Sequence, residues 1–408
     1  MHVLFVEPGF PRNQREFVRA LHSVGARVTG IGESSGDALD HELKHWLYRY
    51  EQVRSVTDTG ALLGAVRRCQ SREWVDRLEA TVEAHILPTA DVREACQIPG
   101  TTTRTAFLCR DKPAMKEALR AAGVPCAQST GASDADEVRE FAARVGFPLI
   151  LKPRDAAGAA GTFKVTNEIE LENAIRESRV DKGAPVAVEE FIEGHEGFYD
   201  TLAIEGTVQH DFVSHYYPNV LEAMRTRWIS PQICVTNRMD APDYGELKQM
   251  GAKVIQALGI GTSATHMEWF YGPKGLRFSE IGCRPPGVRV WDLYSAGNDF
   301  DIYREWAHAI VHGRVERKPS RSHATGMIAL RPECDGRITG YDGFDLVQNR
   351  VGPWILDCHM PAAGAATQPV SSGYMGNAWV RMKHPDFDEL RRLMNFVGET
   401  LKVRAKPS

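Results

Sequence analysis

The sequence predicts an α/β protein made of three consecutive parts. Strands and helices alternate at the start of the chain, hairpin patterns follow in the middle, and a smaller mixed segment comes last. We place a βαβ domain with a parallel sheet at residues 1–108, a central α+β domain at 109–320 and a small mixed domain at 321–408. The length of 408 residues agrees with two or three domains, since about 150 residues are typical of one.

The first part is recognised by a strand–helix–strand pattern. Residues 3–6 are a short apolar run, and residues 12–24 place Phe17 and Leu21 on one face of a helix. Residues 26–31 are the next apolar run. Two strands that are joined through a helix predict a parallel sheet covered by helices. In the last part, a helix from about residue 385 is expected to end the chain.

Composition and charge exclude several classes of protein. Apolar residues make up 43% of the chain and charged residues 25%, and no apolar run approaches the ~20 residues that span a bilayer. The net charge is −4 without a basic block, so we expect neither nucleic acid nor a membrane as partner. The N-terminus lacks the features of a signal peptide, and the eight cysteines contain no C-x-x-C pair. Both observations predict a cytoplasmic protein with free thiols.

The middle part begins at Asp111, which can cap a helix that carries Lys112 in its first turn. A lysine is unfavourable there unless an anion binds as well. Strands are predicted at 147–152 and 162–165, with a glycine- and alanine-rich loop at 154–161 between them. Small residues let backbone N–H groups approach phosphate oxygens, although the tip of a mobile hairpin has a similar composition.

A predicted hairpin at 265–284 brings acidic residues together. Because strand residues alternate faces, His266 and Glu268 share one face of the first strand. Glu280 and Arg284 share one face of the second. A connecting loop of three or five residues places the two glutamates opposite each other, with Cβ atoms ~5 Å apart, whereas a loop of four does not. Such a pair needs a shared proton or a cation, for which Mg²⁺ is suited; the alternative is an exposed hairpin with both acids in water.

Two short patterns suggest other chemistry. Residues 41–45 match H-E-x-x-H, in which two helical histidines hold zinc, but the third ligand of the extended motif is missing. Residues 30–36 approach a dinucleotide-binding fingerprint, but the third glycine comes one place late. A polar helix face and a turn after a strand explain these patterns as well, so a zinc peptidase is the weakest functional alternative.

Taken in chain order, these segments resemble the ATP-grasp superfamily, and the resemblance covers most of the chain. Within it, the chain is similar to the L-amino-acid (dipeptide) ligases and to the biotin-carboxylase-like carboxylate–amine ligases. The resemblance implies a central ATP-grasp domain with a flexible lid at about residues 125–190. It also implies ATP and Mg²⁺ as cofactors, with Mn²⁺ as an alternative metal, and it allows for a homodimer.

The resemblance further assigns roles to particular residues. The ATP-binding residues that it implies are Lys112, Ile150, Lys152, Gly158, Gly161, Glu189, Phe191, Ile192, Glu196 and Phe270. Among these, Glu189 and the backbone at 191–192 would read the adenine, and Glu196 would bind the ribose. Ile150 and Phe270 would sandwich the ring. Glu268 and Glu280 would hold the metal.

Two catalytic candidates also follow from the resemblance. Arg284 would stabilise an oxyanion, and His266 would orient the substrate, act as a base or serve as a structural histidine. Two positions depart from the family pattern: relatives often carry a metal-binding asparagine in place of Gly282, and Gly-Gly-Asp near residues 287–289. The number of metals and the substrate are therefore left open. The arginines that could bind a substrate carboxylate, or simply lie in solvent, are Arg225, Arg227 and Arg289.

The implied function is that of an ATP-dependent carboxylate–amine ligase. A carboxylate attacks the γ-phosphorus of ATP, an amine attacks the resulting acyl phosphate, and ADP and phosphate are released. An amino acid or a similar small acid is the expected substrate. The alternatives are a ligase or carboxylase of the same fold that acts on another small acid or on bicarbonate, and an ATP-binding protein without catalysis.

Overall fold

The computed structural model describes residues 1–154 and 161–407 of the chain. A parallel sheet forms its N-terminal part. The elements of this part are β1 (His2–Val6), α1 (Gln14–Ser23), β2 (Arg27–Gly32), α2 (His41–Trp46), β3 (Arg49–Gln52), α3 (Thr59–Gln70), β4 (Arg77–Glu79), α4 (Glu83–Ala95) and α5 (Thr103–Leu108). The strands run in the order β3–β2–β1–β4, and all neighbours pair in parallel. Alternate residues of β1 pack in two different core clusters, Val3 and Phe5 in one and Leu4 and Val6 in the other. The predicted βαβ unit is confirmed.

The next part is a small antiparallel sheet with its own core. Its elements are α6 (Lys112–Ala121), β5 (Ser129–Ala132), α7 (Ala135–Val145), β6 (Leu149–Pro153), β7 (Phe163–Val165), α8 (Glu168–Ser178) and β8 (Val186–Glu190). The strand order is β5–β8–β6–β7. Helices α7 and α8 pack Phe141 and Ile175 against these strands. The sheet lies within residues 125–190, and we call it the lid sheet from here on.

A large antiparallel sheet occupies the rest of the chain. The elements of this part are β9 (His195–Ile204), β10 (Thr207–Tyr217), α9 (Val220–Ala223), β11 (Gln232–Val235), α10 (Gly245–Ala257), β12 (Ser263–Gly272), β13 (Gly275–Gly282), α11 (Val290–Asn298), α12 (Ile302–His312), β14 (Ala324–Leu330), β15 (Arg337–Asp342), α13 (Phe344–Val351), β16 (Ile355–His359), β17 (Ala378–His384), α14 (Phe387–Thr400) and β18 (Lys402–Lys406), of which β15 and β18 form a separate two-stranded sheet. The strand order is β13–β12–β9–β10–β11–β14–β17–β16. Strands from the predicted C-terminal segment thus continue the central sheet, because β14 pairs with β11.

The end of the chain differs from the expectation. The predicted terminal helix is present as α14, but the strand β18 follows it and pairs with β15. Short 3₁₀ helices connect other elements, at Gly36–Ala38, Val180–Lys182, Pro242–Tyr244, Gly352–Trp354 and Val370–Ser372. All eight cysteines are free thiols, as expected. Within the ranges that the structure describes, no helix combines the length and apolar character needed to traverse a bilayer.

Aromatic packing fixes the parallel sheet to the large sheet. Phe17 on α1 makes an edge-to-face contact with Trp306 on α12, with ring centroids 5.1 Å apart, and also contacts Trp291 on α11. Both partners follow β13 in the chain. The packing therefore brings the start of α4, just beyond the carboxyl end of β4, next to the end of β13.

Candidate active site

Strands β12 and β13 form the predicted hairpin, and Glu268 lies opposite Glu280. The turn is shorter than the loop of three or five residues that would place the glutamates opposite each other in regular strands, because Gly272 pairs with Gly275 and only two residues connect the strands. A bulge at Ser279 adds one residue to β13 and restores the pairing of the glutamates. The predicted opposition is present, and a bulge rather than the loop length produces it.

The two glutamates line a cavity of about 460 Å³ between the lid sheet and the large sheet. Its walls contain most of the predicted nucleotide and metal residues: Lys112, Ile150, Lys152, Glu189, Phe191, Ile192, Glu196, Glu268, Phe270 and Glu280. Gly161 is exposed and does not line the described part of this cavity. Gly158 lies outside the described residues, as does most of the predicted loop 154–161. His266 and Arg284 line a small adjoining cleft that shares Lys112 and Glu280 with the cavity.

Three lysines and two glutamates alternate along the floor of this cavity. Lys112 Nζ lies 3.4 Å from Glu280 Oε2, and Lys152 Nζ lies 3.9 Å from the same oxygen. Lys152 Nζ is also 3.0 Å from Glu189 Oε2, which Lys116 Nζ approaches to 2.7 Å. Sequence reasoning missed Lys116, although its spacing of four from Lys112 places both side chains on one face of α6.

Mutual pairing sets the charge of these buried groups. Burial alone would raise the pKa of Glu189, but Lys116 and Lys152 lower it to about 2. Burial opposes the charge of Lys152 in the same way, and Glu189 and Glu280 raise its pKa. For Lys116, burial outweighs the attraction of Glu189 and lowers the pKa. The carboxylates therefore stay ionised at neutral pH in a site that excludes much of the solvent.

The pKa of Glu196 shifts in the opposite direction to that of Glu189. Burial and the neighbouring charge of Glu268 raise its pKa to about 8, although the backbone N–H of Val220 donates to Oε2 at 2.6 Å. Its own backbone N–H donates to the side-chain oxygen of Asn219 at 3.0 Å. This carboxyl group therefore binds a proton more readily than an ordinary glutamate does.

His266 is held between two carboxylates. Its Nδ1 lies 2.7 Å from Asp200 Oδ1, and its Nε2 lies 3.8 Å from Glu268 Oε1. The hydroxyl of Tyr294 donates to the other oxygen of Asp200 at 2.5 Å. Burial lowers the pKa of His266, but Asp200 and Glu268 outweigh it and raise the value to about 9. An imidazolium at neutral pH suits an orienting role better than that of a base.

Arg284 is fixed by a residue from the N-terminal part. Its Nε donates to Glu83 Oε2 at 2.7 Å, and its Nη1 donates to the carbonyl of Pro285 at 2.8 Å. Glu83 is the first residue of α4, and sequence reasoning did not single it out. A Cβ on Gly282 would lie 3.3 Å from the same Glu83 oxygen. The absence of a side chain at 282 therefore makes room for this ion pair.

A sequence match identifies the central domain of the chain. Residues 117–296 match the profile of the ATP-grasp domain. The chain contains an ATP-grasp domain. This confirms the family that the motif order predicts, and the matched residues include the Glu268–Glu280 pair, Lys152 and Arg284 of the site.

Curated relatives share this ATP-grasp domain at low identity. The chain is 26% identical over 277 residues to an L-arginine-specific L-amino acid ligase of Bacillus subtilis, covering 64% of this chain and 66% of the relative. It is 24% identical over 349 residues to a formate-dependent phosphoribosylglycinamide formyltransferase of Chlorobaculum tepidum, covering 80% and 85%. The chain spans less than two thirds of the first three curated relatives that it matches, 66%, 62% and 44% of their lengths.

A solved structure confirms the fold around the ATP-grasp domain. The crystal structure of an L-amino acid ligase from Bacillus licheniformis aligns with a TM-score of 0.78 and 16% identity, over 99% of this chain and 98% of that one. The predicted order of a parallel N-terminal sheet, an ATP-grasp core and a C-terminal mixed segment agrees with this match.

The three arginines that were considered for a substrate carboxylate lie in different places. Arg225 lines the ATP-grasp cavity and donates to the carbonyl of Thr162 on the lid side. Arg227 pairs with Asp335. Arg289 lines a second cavity of about 760 Å³, which Arg284 and Glu83 also border.

The zinc alternative gains no support from the structure. His41 and His45 are exposed on α2. Within residues 1–154 and 161–407, no group of three or more His, Cys, Asp or Glu side chains is arranged to hold a metal ion.

Proposed function

We propose that the protein is an ATP-dependent ligase that joins a small carboxylic acid to an amine and releases ADP and phosphate. The observation that carries the proposal is the opposition of Glu268 and Glu280 in one cavity with Lys112 and Lys152. Carboxylates for a divalent cation and lysines for phosphate oxygens are the groups that a nucleoside triphosphate requires. The relatives that are named as amino acid ligases support the same class of reaction.

The adenine of ATP would lie in the apolar part of the cavity, between Ile150 and Phe270. Glu189 Oε1 is buried and has no hydrogen-bond partner among the described residues. A buried acceptor of this kind is costly unless a ligand supplies a donor, and the exocyclic amine of adenine is such a donor. The backbone N–H of Phe191 already donates to a carbonyl at 3.1 Å, so the N–H of Ile192 would contact the ring nitrogen.

The ribose and the phosphates would follow towards the hairpin. Glu196 lines the cavity, and its carboxyl oxygens can accept hydrogen bonds from the ribose hydroxyls. Lys112 and Lys152 would bind phosphate oxygens in place of Glu280, whose carboxylate they approach in the structure. The side chains thus match the three parts of the nucleotide in order.

The acidic pair fits Mg²⁺, with Mn²⁺ as an alternative. Glu268 and Glu280 offer two carboxylates, and Mg²⁺ commonly binds one or two carboxylates and takes its remaining ligands from substrate phosphates and water. When bound, such a cation neutralises charge on the phosphates. His266, as an imidazolium beside Glu268, would orient that carboxylate.

The reaction would proceed in two displacements. A carboxylate oxygen of the substrate forms a bond to the γ-phosphorus, the bond from that phosphorus to the bridging oxygen breaks, and ADP leaves. The amine nitrogen then attacks the acyl carbon, phosphate leaves with the electrons of the C–O bond, and the amine loses a proton. Arg284, fixed by Glu83, would donate to the oxyanion of the tetrahedral intermediate, a contribution of roughly 3–4 kcal/mol for one well-placed donor.

The acid and the amine would bind in the second cavity. It lies beyond the carboxyl end of β4, where parallel sheets commonly bind ligands, and Arg284 borders both it and the cleft beside Glu280. Arg289 offers donors to a carboxylate, and Glu83 offers an acceptor to an amine. These groups suit an amino acid or a similar small acid, which is the substrate class we propose.

Measurement of ADP and phosphate release from Mg-ATP, over a grid of small acids and amines, tests this function. We expect release only when a matching acid and amine are both present, with a product whose mass equals their sum less one water. Release with bicarbonate or formate in place of an amino acid would favour the alternative ligase or carboxylase. ATP binding without ADP formation in any combination would indicate a protein that binds ATP without catalysis. The homodimer and the cytoplasmic location stay predictions, which light scattering and cell fractionation would test.

A further inference from the structure

We propose that Lys116 is a positioning residue that holds Glu189 for recognition of the adenine amine and thereby sets the nucleobase specificity of the site. The inference rests on the proposed function, since it takes Glu189 to face the base of ATP. Lys116 would act through this carboxylate and not through a reacting atom.

The two carboxylate oxygens of Glu189 have different surroundings. Lys116 Nζ lies 2.7 Å from Oε2, and Lys152 Nζ lies 3.0 Å from the same atom. Oε1 is buried and has no hydrogen-bond partner within the part of the chain that the structure describes. The lysines thus occupy one oxygen and leave the other as an acceptor at the wall of the cavity.

The charge of this acceptor determines which bases it tolerates. Lys116 and Lys152 hold the pKa of Glu189 at about 2, so Oε1 carries no proton at neutral pH. An ionised oxygen accepts a hydrogen bond from the 6-amino group of adenine but repels the 6-oxo group of hypoxanthine or guanine. A neutral carboxyl group could donate a proton to that oxo group, so loss of the cation would relax the discrimination.

Lys116 is better placed than Lys152 to keep this arrangement when ATP binds. Lys152 Nζ also lies 3.9 Å from Glu280 and is one of the lysines expected to bind phosphate. Lys116 is 1% exposed and its ammonium faces Glu189 from the second turn of α6. We therefore expect Lys116 to stay on Glu189 while Lys152 turns towards the phosphates.

The test compares three nucleotides on full-length protein by titration calorimetry with Mg²⁺: ATP, inosine triphosphate and purine riboside triphosphate, which has no substituent at position 6. In Lys116→Met we expect ATP affinity to fall by roughly tenfold to a hundredfold, with little change for purine riboside triphosphate. The preference for ATP over inosine triphosphate should shrink accordingly. Lys116→Arg should retain the preference, because it preserves the cation.

Two further variants keep the test specific. Lys253→Met removes an ammonium that donates to the carbonyl of Gly123, just after α6, and should leave all three affinities unchanged. Lys116→Met combined with Glu189→Gln removes both members of the buried pair, so it should fold and show the same base preference as Glu189→Gln alone.

Several results would overturn the proposal. An unchanged preference for ATP in Lys116→Met, or an equal loss of affinity for all three nucleotides, would show that Lys116 has no role in base recognition. A further change in preference when Lys116→Met is added to Glu189→Gln would show that it does not act through Glu189. If the wild-type protein bound no ATP, the proposed function would fail together with this inference, whereas wild-type binding with the first result would refute the inference alone.

Discussion

The carboxylate of Glu83 occupies the space beside Gly282, where a side chain would otherwise lie. A Cβ at position 282 would come 3.3 Å from Glu83 Oε2 and 3.3 Å from the Cγ of Arg284. Glu83 belongs to the N-terminal part and the other two residues belong to the end of the β12–β13 hairpin, yet the three form one contact. The glycine at position 282 leaves the space in which Glu83 fixes the arginine.

Gly282→Asn should therefore lower activity and not improve metal binding. The added side chain must displace Glu83 or Arg284, because space at this position is already close to the van der Waals limit. We expect kcat for ADP release to fall roughly a hundredfold to a thousandfold, as for a lost oxyanion donor, with little change in KM for ATP. Gly282→Ala, which adds a single methyl group, should have a smaller effect. An asparagine variant with wild-type or higher kcat would contradict this assignment.

Glu280→Gln should abolish ADP formation while the fold is retained. The substitution keeps the size of the side chain but removes one of two charges that face the cation, and it leaves Lys112 and Lys152 without this partner. Turnover is measured by a coupled ADP assay and folding by circular dichroism. His41→Ala, an exposed change on α2, serves as the control and should retain full activity. Near-normal turnover of Glu280→Gln would refute the role of this residue.

The sequence predicted most of the cavity wall but not how the wall is assembled. Strand alternation and motif order placed Glu268, Glu280 and Lys152 in one site, because these signals are local. The bulge at Ser279 left no local signal, since an extra residue is absorbed within an ordinary strand pattern. The ion pair of Glu83 and Arg284 joins residues 201 positions apart, so the sequence around either residue does not predict it.

Two other features could not be predicted from the sequence, because they depend on contacts between residues far apart in the chain. Lys116 fits the pattern of a solvated helix face, and only the approach of Glu189 on β8 shows that it is buried. The final strand β18 is five residues long and exists because β15 pairs with it across the C-terminal segment. Short edge strands of this kind depend on a partner more than on their own composition.

Lys152→Ala should weaken ATP binding. The lysine lies at the end of β6 between Glu189 and Glu280, and its removal deletes a cation expected to bind phosphate and leaves Glu189 with Lys116 alone. We expect the Kd for ATP to rise roughly tenfold to a hundredfold, because hydrogen bonds to charged groups are worth about 1.5–3 kcal/mol. Titration calorimetry with a non-hydrolysable ATP analogue measures this directly. An unchanged affinity would count against the phosphate role.

The pKa of His266 predicts how stability depends on pH in the absence of nucleotide and metal. The folded value of about 9 lies above the ordinary value of 6.5, so the imidazolium stabilises the fold fully below pH ~6.5, and this contribution is lost as the pH rises towards 9. We expect His266→Gln to destabilise the protein by up to roughly 3 kcal/mol at pH 6, and by much less at pH 9.5. Urea denaturation of both proteins at the two pH values checks this. A loss of stability independent of pH would mean that His266 is neutral in the folded state.

The most direct test of the central claim is to measure Mn²⁺ binding by electron paramagnetic resonance, with and without a non-hydrolysable ATP analogue. If Glu268 and Glu280 jointly hold the cation against the phosphates, the wild-type protein will bind Mn²⁺ tightly with the analogue present. The combined Glu268→Gln and Glu280→Gln variant, folded by circular dichroism, will lose this binding. Equal Mn²⁺ binding by the wild-type protein and the double variant would contradict the account.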